Sequence, residues 1–164
     1  MKAILVKVNR RSPIIHAFIK TALDRKGEML VRVISKSMTP TVQKDDVVVV
    51  VPVKHILVPG NILLFKEEGN LFLHRYIISI GRNLLLKGDS SNRLNAVSRK
   101  QIIGKAMRSL DKSGRVKTEF NTFPYIISSF VNSIIVLRKY FFAKISVKIQ
   151  NQILKANKHI IVCL

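Results

Sequence analysis

The segment Pro59-Gly60-Asn61-Ile62-Leu63-Leu64-Phe65-Lys66-Glu67-Glu68-Gly69-Asn70-Leu71-Phe72-Leu73-His74-Arg75-Tyr76-Ile77-Ile78-Ser79 carries the fold class. Pro59-Gly60-Asn61 punctuates it as a turn, and Ile62 to Phe65 is a short apolar run of strand length. Glu67-Glu68-Gly69-Asn70 has the composition of a hairpin loop. Leu71 to Ser79 is again rich in apolar and aromatic residues and reads as a second strand. Two such runs joined by a Gly-containing loop predict an antiparallel hairpin, with His74 inside its second strand.

The same grammar extends in both directions. Upstream, Met29, Val31 and Val33 alternate with Leu30, Arg32 and Ile34, a period-two strand. Asp45-Asp46 marks a turn, and Val47 to Val51 is a run of β-branched residues. Downstream, Leu84 to Lys87 is a short strand before Gly88-Asp89, and Gln101 to Ser109 is another, ending toward Lys112-Ser113-Gly114. The expected fold is mainly β, a compact domain over residues 28–118. Before it, Ser12-Pro13 is a helix start, Ile15, Phe18, Ala22 and Leu23 recur at helical spacing, and Gly27 is a stop. Residues 1–27 therefore form an N-terminal segment with a short amphipathic helix, roughly 13–25.

Residues 119–164 differ in kind. From Phe120 onward there is no acidic residue. Pro124 opens a helical pattern in which Ile126, Ile127, Phe130, Val131, Ile134 and Ile135 form an apolar stripe, opposed by Ser128, Ser129, Asn132 and Ser133. A second stripe, Phe142, Ile145, Ile149 and Ile153, faces Lys144, Lys148 and Lys155, the pattern of a basic amphipathic helix at an anionic membrane surface. The 18 uncharged residues from Phe120 to Leu137 would reach about 27 Å as a helix, at the lower limit of a span.

Composition excludes several classes. The chain has 164 residues, nearly half of them apolar, which is enough for a core and unlike a disordered protein. With 29 Lys and Arg against 9 Asp and Glu, its net charge is +20, a field that attracts polyanions. The charges are dispersed, and no zinc finger, homeodomain or aromatic RNA-binding motif is present, so nucleic acid is not the expected partner. Cys163 stands alone, excluding an internal disulfide and a Cys-based zinc site. No cofactor or metal is expected. Met1 to Val8, broken by Lys2 and Lys7, is too short for a signal peptide, and no apolar run before residue 120 can span a bilayer. The expected location is cytoplasmic or peripheral to a membrane.

Chemistry centres on Ser35-Lys36-Ser37-Met38-Thr39-Pro40-Thr41. Ser37 follows a strand and precedes Pro40, which stiffens the turn and biases Thr39 toward extended backbone. A serine nucleophile needs a base and oxyanion donors. Four histidines are available: His16 on the N-terminal helix, His55 in a loop, His74 in a strand and His159 in the tail. On composition alone, a strand His beside an apolar stretch reads as a satisfied structural residue, and Asp89 in Gly88-Asp89-Ser90-Ser91 as a turn residue.

Ser37-Met38-Thr39-Pro40 resembles the Ser-Met-x-Pro motif of type I signal peptidases, and further boxes follow in family order. These are Asp46 with Val47 to Val50, then Gly60-Asn61-Ile62-Leu63-Leu64-Phe65, then Leu73-His74-Arg75-Tyr76-Ile77. Lys87-Gly88-Asp89-Ser90-Ser91 and Ile102-Ile103-Gly104-Lys105-Ala106 complete the series. The resemblance, over about residues 29–118, is to the His-containing archaeal and endoplasmic-reticulum form. It implies a coiled, mostly antiparallel β peptidase domain and a serine endopeptidase acting on a precursor or leader peptide bound as an extended strand. It assigns Ser37 as nucleophile and His74 as general base. It gives Asp89 an orienting or charge-stabilising role, and Ser35, Met38 and Pro40 the oxyanion and substrate cleft. The further acid that the His-type form carries after Gly-Asp is here Leu94 or Asn95, so either Asp89 serves as third member, or Asn95 orients the imidazole in its place, or the site works as a Ser-His dyad. Lys44 and Asn61 stand where the pattern has Gly and Asp. Two alternatives remain at this level. One is a LexA-like self-cleaving or regulatory domain, which would need Lys66 or Lys87 as base. The other is a catalytically inactive relative that binds membranes or nucleic acid.

Overall fold

The computed structural model describes residues 13–54, 56–91 and 93–120, and beyond them 122, 125, 127–129, 131, 134, 135, 138 and 142. His55, His159, Cys163 and the second tail stripe beyond Phe142 lie outside the described residues, as does Ser12. The fold is mainly β, as expected. Helix α1 (Pro13–Lys26) is followed by strands β1 (Met29–Arg32), β2 (Val47–Val51), β3 (Ile62–Glu67), β4 (Asn70–Ile80), β5 (Asn83–Lys87), β6 (Leu94–Ser98), β7 (Ile102–Leu110) and β8 (Val116–Glu119). A single 3-10 turn, Arg99–Gln101, joins β6 to β7. All pairings are antiparallel in the order β1-β2-β7-β3-β4-β5-β6, with β8 alongside β7.

Strand β3 shows how the sequence builds two cores from one sheet. Successive strand residues face opposite sides. Ile62 and Leu64 enter a first core with Ile19, Leu23, Met29, Val31, Val48, Val50, Ile103 and Phe120. Leu63 and Phe65 enter a second with Leu57, Tyr76, Leu84, Leu86, Val97 and Ile102. A strand buried on both faces has no reason to alternate, which is why Ile62 to Phe65 is an unbroken apolar run. Burying a large aliphatic or aromatic side chain contributes about 1.5–3 kcal/mol, so these two clusters supply the main driving force.

Turn chemistry fixes the register. Glu67 pairs with Asn70, and the two residues between them, Glu68 and Gly69, have φ of 48° and 77°. This is the left-handed two-residue turn that matches strand twist. It places Leu63 opposite His74 and Phe65 opposite Phe72. The first core is closed by α1. A Cβ on Gly104 would lie 2.8 Å from a Leu23 methyl and 2.7 Å from the Val51 carbonyl oxygen, so only glycine lets the helix sit this close. The helix and Phe120 therefore pack in the same core as the sheet. Two strands, β6 and β8, go beyond the sequence expectation. Leu94–Ser98 is interrupted by polar residues and Val116–Glu119 is mostly exposed, so neither carries a strong apolar signal.

Candidate active site

Ser37 lies in the turn between β1 and β2, half-buried, in a stretch tied down from both sides. Met38 beneath it is 1% exposed and belongs to the first core, so it anchors the turn instead of lining an open cleft. The Thr39 N–H donates to Lys36 O at 3.0 Å and the Val42 N–H to Met38 O at 2.9 Å. Thr39–Pro40 is cis, and Pro40 is exposed. The Gly88–Ser91 turn supplies the remaining support. The Ser90 N–H donates to Ser37 O at 3.0 Å, and Ser90 Oγ donates to Lys36 O at 2.7 Å. Ser35 Oγ and Ser37 Oγ are 3.1 Å apart, sharing a hydrogen bond. The Ser37 N–H has no protein acceptor among the described residues.

His74 reaches the same place from the sheet. Its ring packs against Phe65 and Phe72, with centroids 5.5 and 6.1 Å away, and the residue is 6% exposed. Gly88 is the point where the two segments meet. A Cβ there would lie 2.6 Å from the Ser37 carbonyl oxygen and 3.1 Å from His74 Nε2. The strand His and the turn serine, 37 positions apart in sequence, thus flank one glycine. No hydrogen bond joins Ser37 Oγ to His74; the hydroxyl is paired with Ser35.

Burial pulls the His74 pKa down from 6.5 to about 4. Asn95 and the Asp89 charge oppose that shift, while Lys87 and Arg93 add to it. The imidazole is therefore neutral near pH 7, the form that can accept a proton. Nδ1 is buried and has no hydrogen-bond partner, and Asn95 lies near enough to the ring to favour its charged form. Asn95 is itself buried, and its Nδ2 donates to Glu67 Oε2 at 2.7 Å.

Asp89 is committed elsewhere. Arg75 Nε donates to its Oδ1 at 2.8 Å, Arg75 Nη2 to its Oδ2 at 2.7 Å, and Thr41 Oγ1 also donates to Oδ2. No hydrogen bond joins Asp89 to His74, so Asp89 acts on the imidazole through its charge. Arg75 Nη1 lies within donating distance of Gly60 O, Tyr125 Oη and Ser129 Oγ, at 3.0, 3.0 and 2.8 Å. Burial opposes its charge, but the Asp89 carboxylate outweighs this and raises its pKa.

The structure brings together Ser35, Ser37, His74 and, one residue beyond Gly88, Asp89, with Asn95 at the far side of the imidazole. His16 lies on α1, apart from these residues in sequence and element. The sequence reading did not single out Gly88 as the point of contact, Ser90 as a clamp, Arg75 and Thr41 as partners of Asp89, or Glu67. Glu67 was read as a hairpin-loop residue. The signal for it is its period-two spacing from Leu63 and Phe65, which puts it on the His74 face. No family model matches the chain, and no curated protein matches it.

Proposed function

We propose that this chain is a serine endopeptidase of the signal-peptidase type, cleaving a precursor or leader peptide with Ser37 as nucleophile and His74 as general base. The observation that carries the reading is the meeting of the Ser37 turn and His74 Nε2 on either side of Gly88, with the imidazole held neutral. In the reaction, the Ser37 hydroxyl turns from Ser35 to the imidazole. Oγ attacks the scissile carbonyl as His74 Nε2 takes its proton. The oxyanion is held by the free Ser37 N–H and the Ser35 hydroxyl. Collapse breaks the C–N bond, and the leaving amine takes the proton from His74. Water, deprotonated by the same nitrogen, then releases the acyl group from Ser37 and restores both residues.

The fold supports an extended substrate. β1 ends the strand order of the sheet, so a peptide added to its outer edge would run toward Ser35 and Ser37. We assign no role to a Lys base. Lys87 Nζ donates to Gly88 O at 3.2 Å, and His74 occupies the position facing the turn. The test is cleavage of a leader-peptide library by the full chain. Ser37→Ala and His74→Ala should each abolish cleavage, Ser37→Ala without moving the thermal melt. Undiminished cleavage by Ser37→Ala ends the reading, and activity that survives His74→Ala but is lost in Lys87→Ala or Lys66→Ala moves it to the LexA-like alternative.

A further inference from the structure

The second core contains a polar line that the proposed chemistry leaves unused. Alternation along the strands puts Glu67 of β3, His74 of β4 and Asn95 of β6 on one face, amid Leu63, Phe65, Phe72 and Leu86. β6 curls back toward β3, as the Gln101 Nε2 bond to Lys66 O and the Asn95 bond to Glu67 require. At the centre of this line is a buried atom without a partner, Nδ1 of His74, a residue only 6% exposed. Leaving such an atom unpaired costs about 1–3 kcal/mol, which a completed bond would recover. Nε2 faces Gly88 and Ser37, so Nδ1 points the other way, toward the interior.

A carboxylate accepts and cannot donate, so Glu67 selects the amide nitrogen of Asn95. With Nδ2 held on Glu67 Oε2 at 2.7 Å, Oδ1 is the end of the amide left for the imidazole. An oxygen there can only accept.

We infer that Glu67 is a positioning residue that acts through Asn95: it fixes the amide so that Asn95 Oδ1 is the acceptor presented to His74 Nδ1, and completing that bond holds the imidazole in the tautomer whose free lone pair is on Nε2, toward Ser37. The carboxylate of this relay comes from the β3 hairpin end and reaches the ring through a neutral amide. This rests on His74 being the base, but the tautomer can be read whether or not the chain cleaves peptides.

The experiment is nitrogen-15 NMR of the full-length protein at neutral pH, with the His74 signals assigned by their loss in His74→Gln. The wild type should show a protonated Nδ1 and an unprotonated Nε2. E67A should give a mixture of tautomers and lower cleavage about tenfold or more, since a misoriented imidazole lone pair is costly. E67Q, whose amide oxygen still accepts from Asn95, should retain most of both properties. In the N95D background the new carboxylate accepts Nδ1–H directly, so E67A should no longer disturb the tautomer. A wild-type Nε2–H tautomer, or an E67A variant with unchanged tautomer, overturns the inference. An equal loss of cleavage from E67A in both backgrounds also overturns it, because that is a structural effect. If E67A does not fold, E67Q and N95D decide by the same signals. If the tautomers respond as described but Ser37→Ala still cleaves, the relay stands and the peptidase reading falls.

Discussion

At the residue scale, the site depends on one missing side chain. Gly88 separates the Ser37 carbonyl from the imidazole, and a methyl there would meet a backbone atom at 2.6 Å, which cannot rotate away. Gly88→Ala should therefore push the turn off β4. We expect a destabilisation of about 1–3 kcal/mol and a loss of cleavage much larger than Ser91→Ala causes. A thermal melt with a parallel activity assay checks this, and a fully active Gly88→Ala would contradict the geometry. His74 sets the pH behaviour. Its folded pKa, about 4, lies below its unfolded value of 6.5, so between these values the unfolded chain binds the extra proton. The stability that rests on neutral His74 is complete above pH 6.5 and is lost as the pH falls toward 4. The acid limb of the cleavage profile should likewise centre near pH 4, and His74→Gln should flatten the stability change across that window. A limb at pH 6.5 would mean that burial does not govern the imidazole.

At the element scale, Arg75 couples three separate segments. Its neighbour His74 faces the second core, while Arg75 points to the opposite side and binds the β5–β6 turn through Asp89, the β2–β3 turn through Gly60 and the tail through Tyr125 and Ser129. Thr41 adds the Ser37 turn, receiving a 3.2 Å bond from Nη2. Arg75 and Asp89 are buried to 8% and 14% side-chain exposure, so removing one leaves the other charge without compensation. Arg75→Met should cost about 3–5 kcal/mol. The double variant Arg75→Met/Asp89→Asn should be more stable than Arg75→Met alone, as a denaturant cycle would measure. An Arg75→Met protein that unfolds like the wild type would show that the pin is dispensable.

At the scale of the whole molecule, charge and the tail act together. Tyr125, Ile127, Ser128, Ser129, Val131, Ile134, Ile135, Arg138 and Phe142 are helical. Ser129 is buried on Arg75, while Ile127, Val131, Ile134, Ile135 and Phe142 are 46–61% exposed at spacings that place them along one side. No helix among the described residues is long and apolar enough to cross a membrane. An exposed apolar helix face on a chain of net charge +20 suits an anionic lipid surface, and we propose that the chain docks there. The full chain should sediment with phosphatidylserine vesicles at low salt, less at high salt, and not with neutral vesicles. Ile134→Asn/Ile135→Asn should weaken sedimentation. Equal affinity for both vesicle types would count against the charge argument, and salt-sensitive retention on DNA alone would favour the nucleic-acid alternative.

How far the sequence reached depends on the range of the interaction involved. Local backbone preference and period-two burial determined α1 and six of the eight strands, the Glu68-Gly69 turn, and the placement of Ser37 and His74 at a turn and on a strand. These follow from neighbours a few residues apart. Met38 in the core and Asp89 on Arg75 were decided only by tertiary structure, as was the meeting of Ser37 with His74 at Gly88. So was the approach of Glu67 to Asn95, residues 28 positions apart. Those contacts arise where the sheet curls and strands distant in sequence are brought side by side. No local periodicity encodes which charged or amide group will find a partner there, because the partner is chosen by the closure of the sheet.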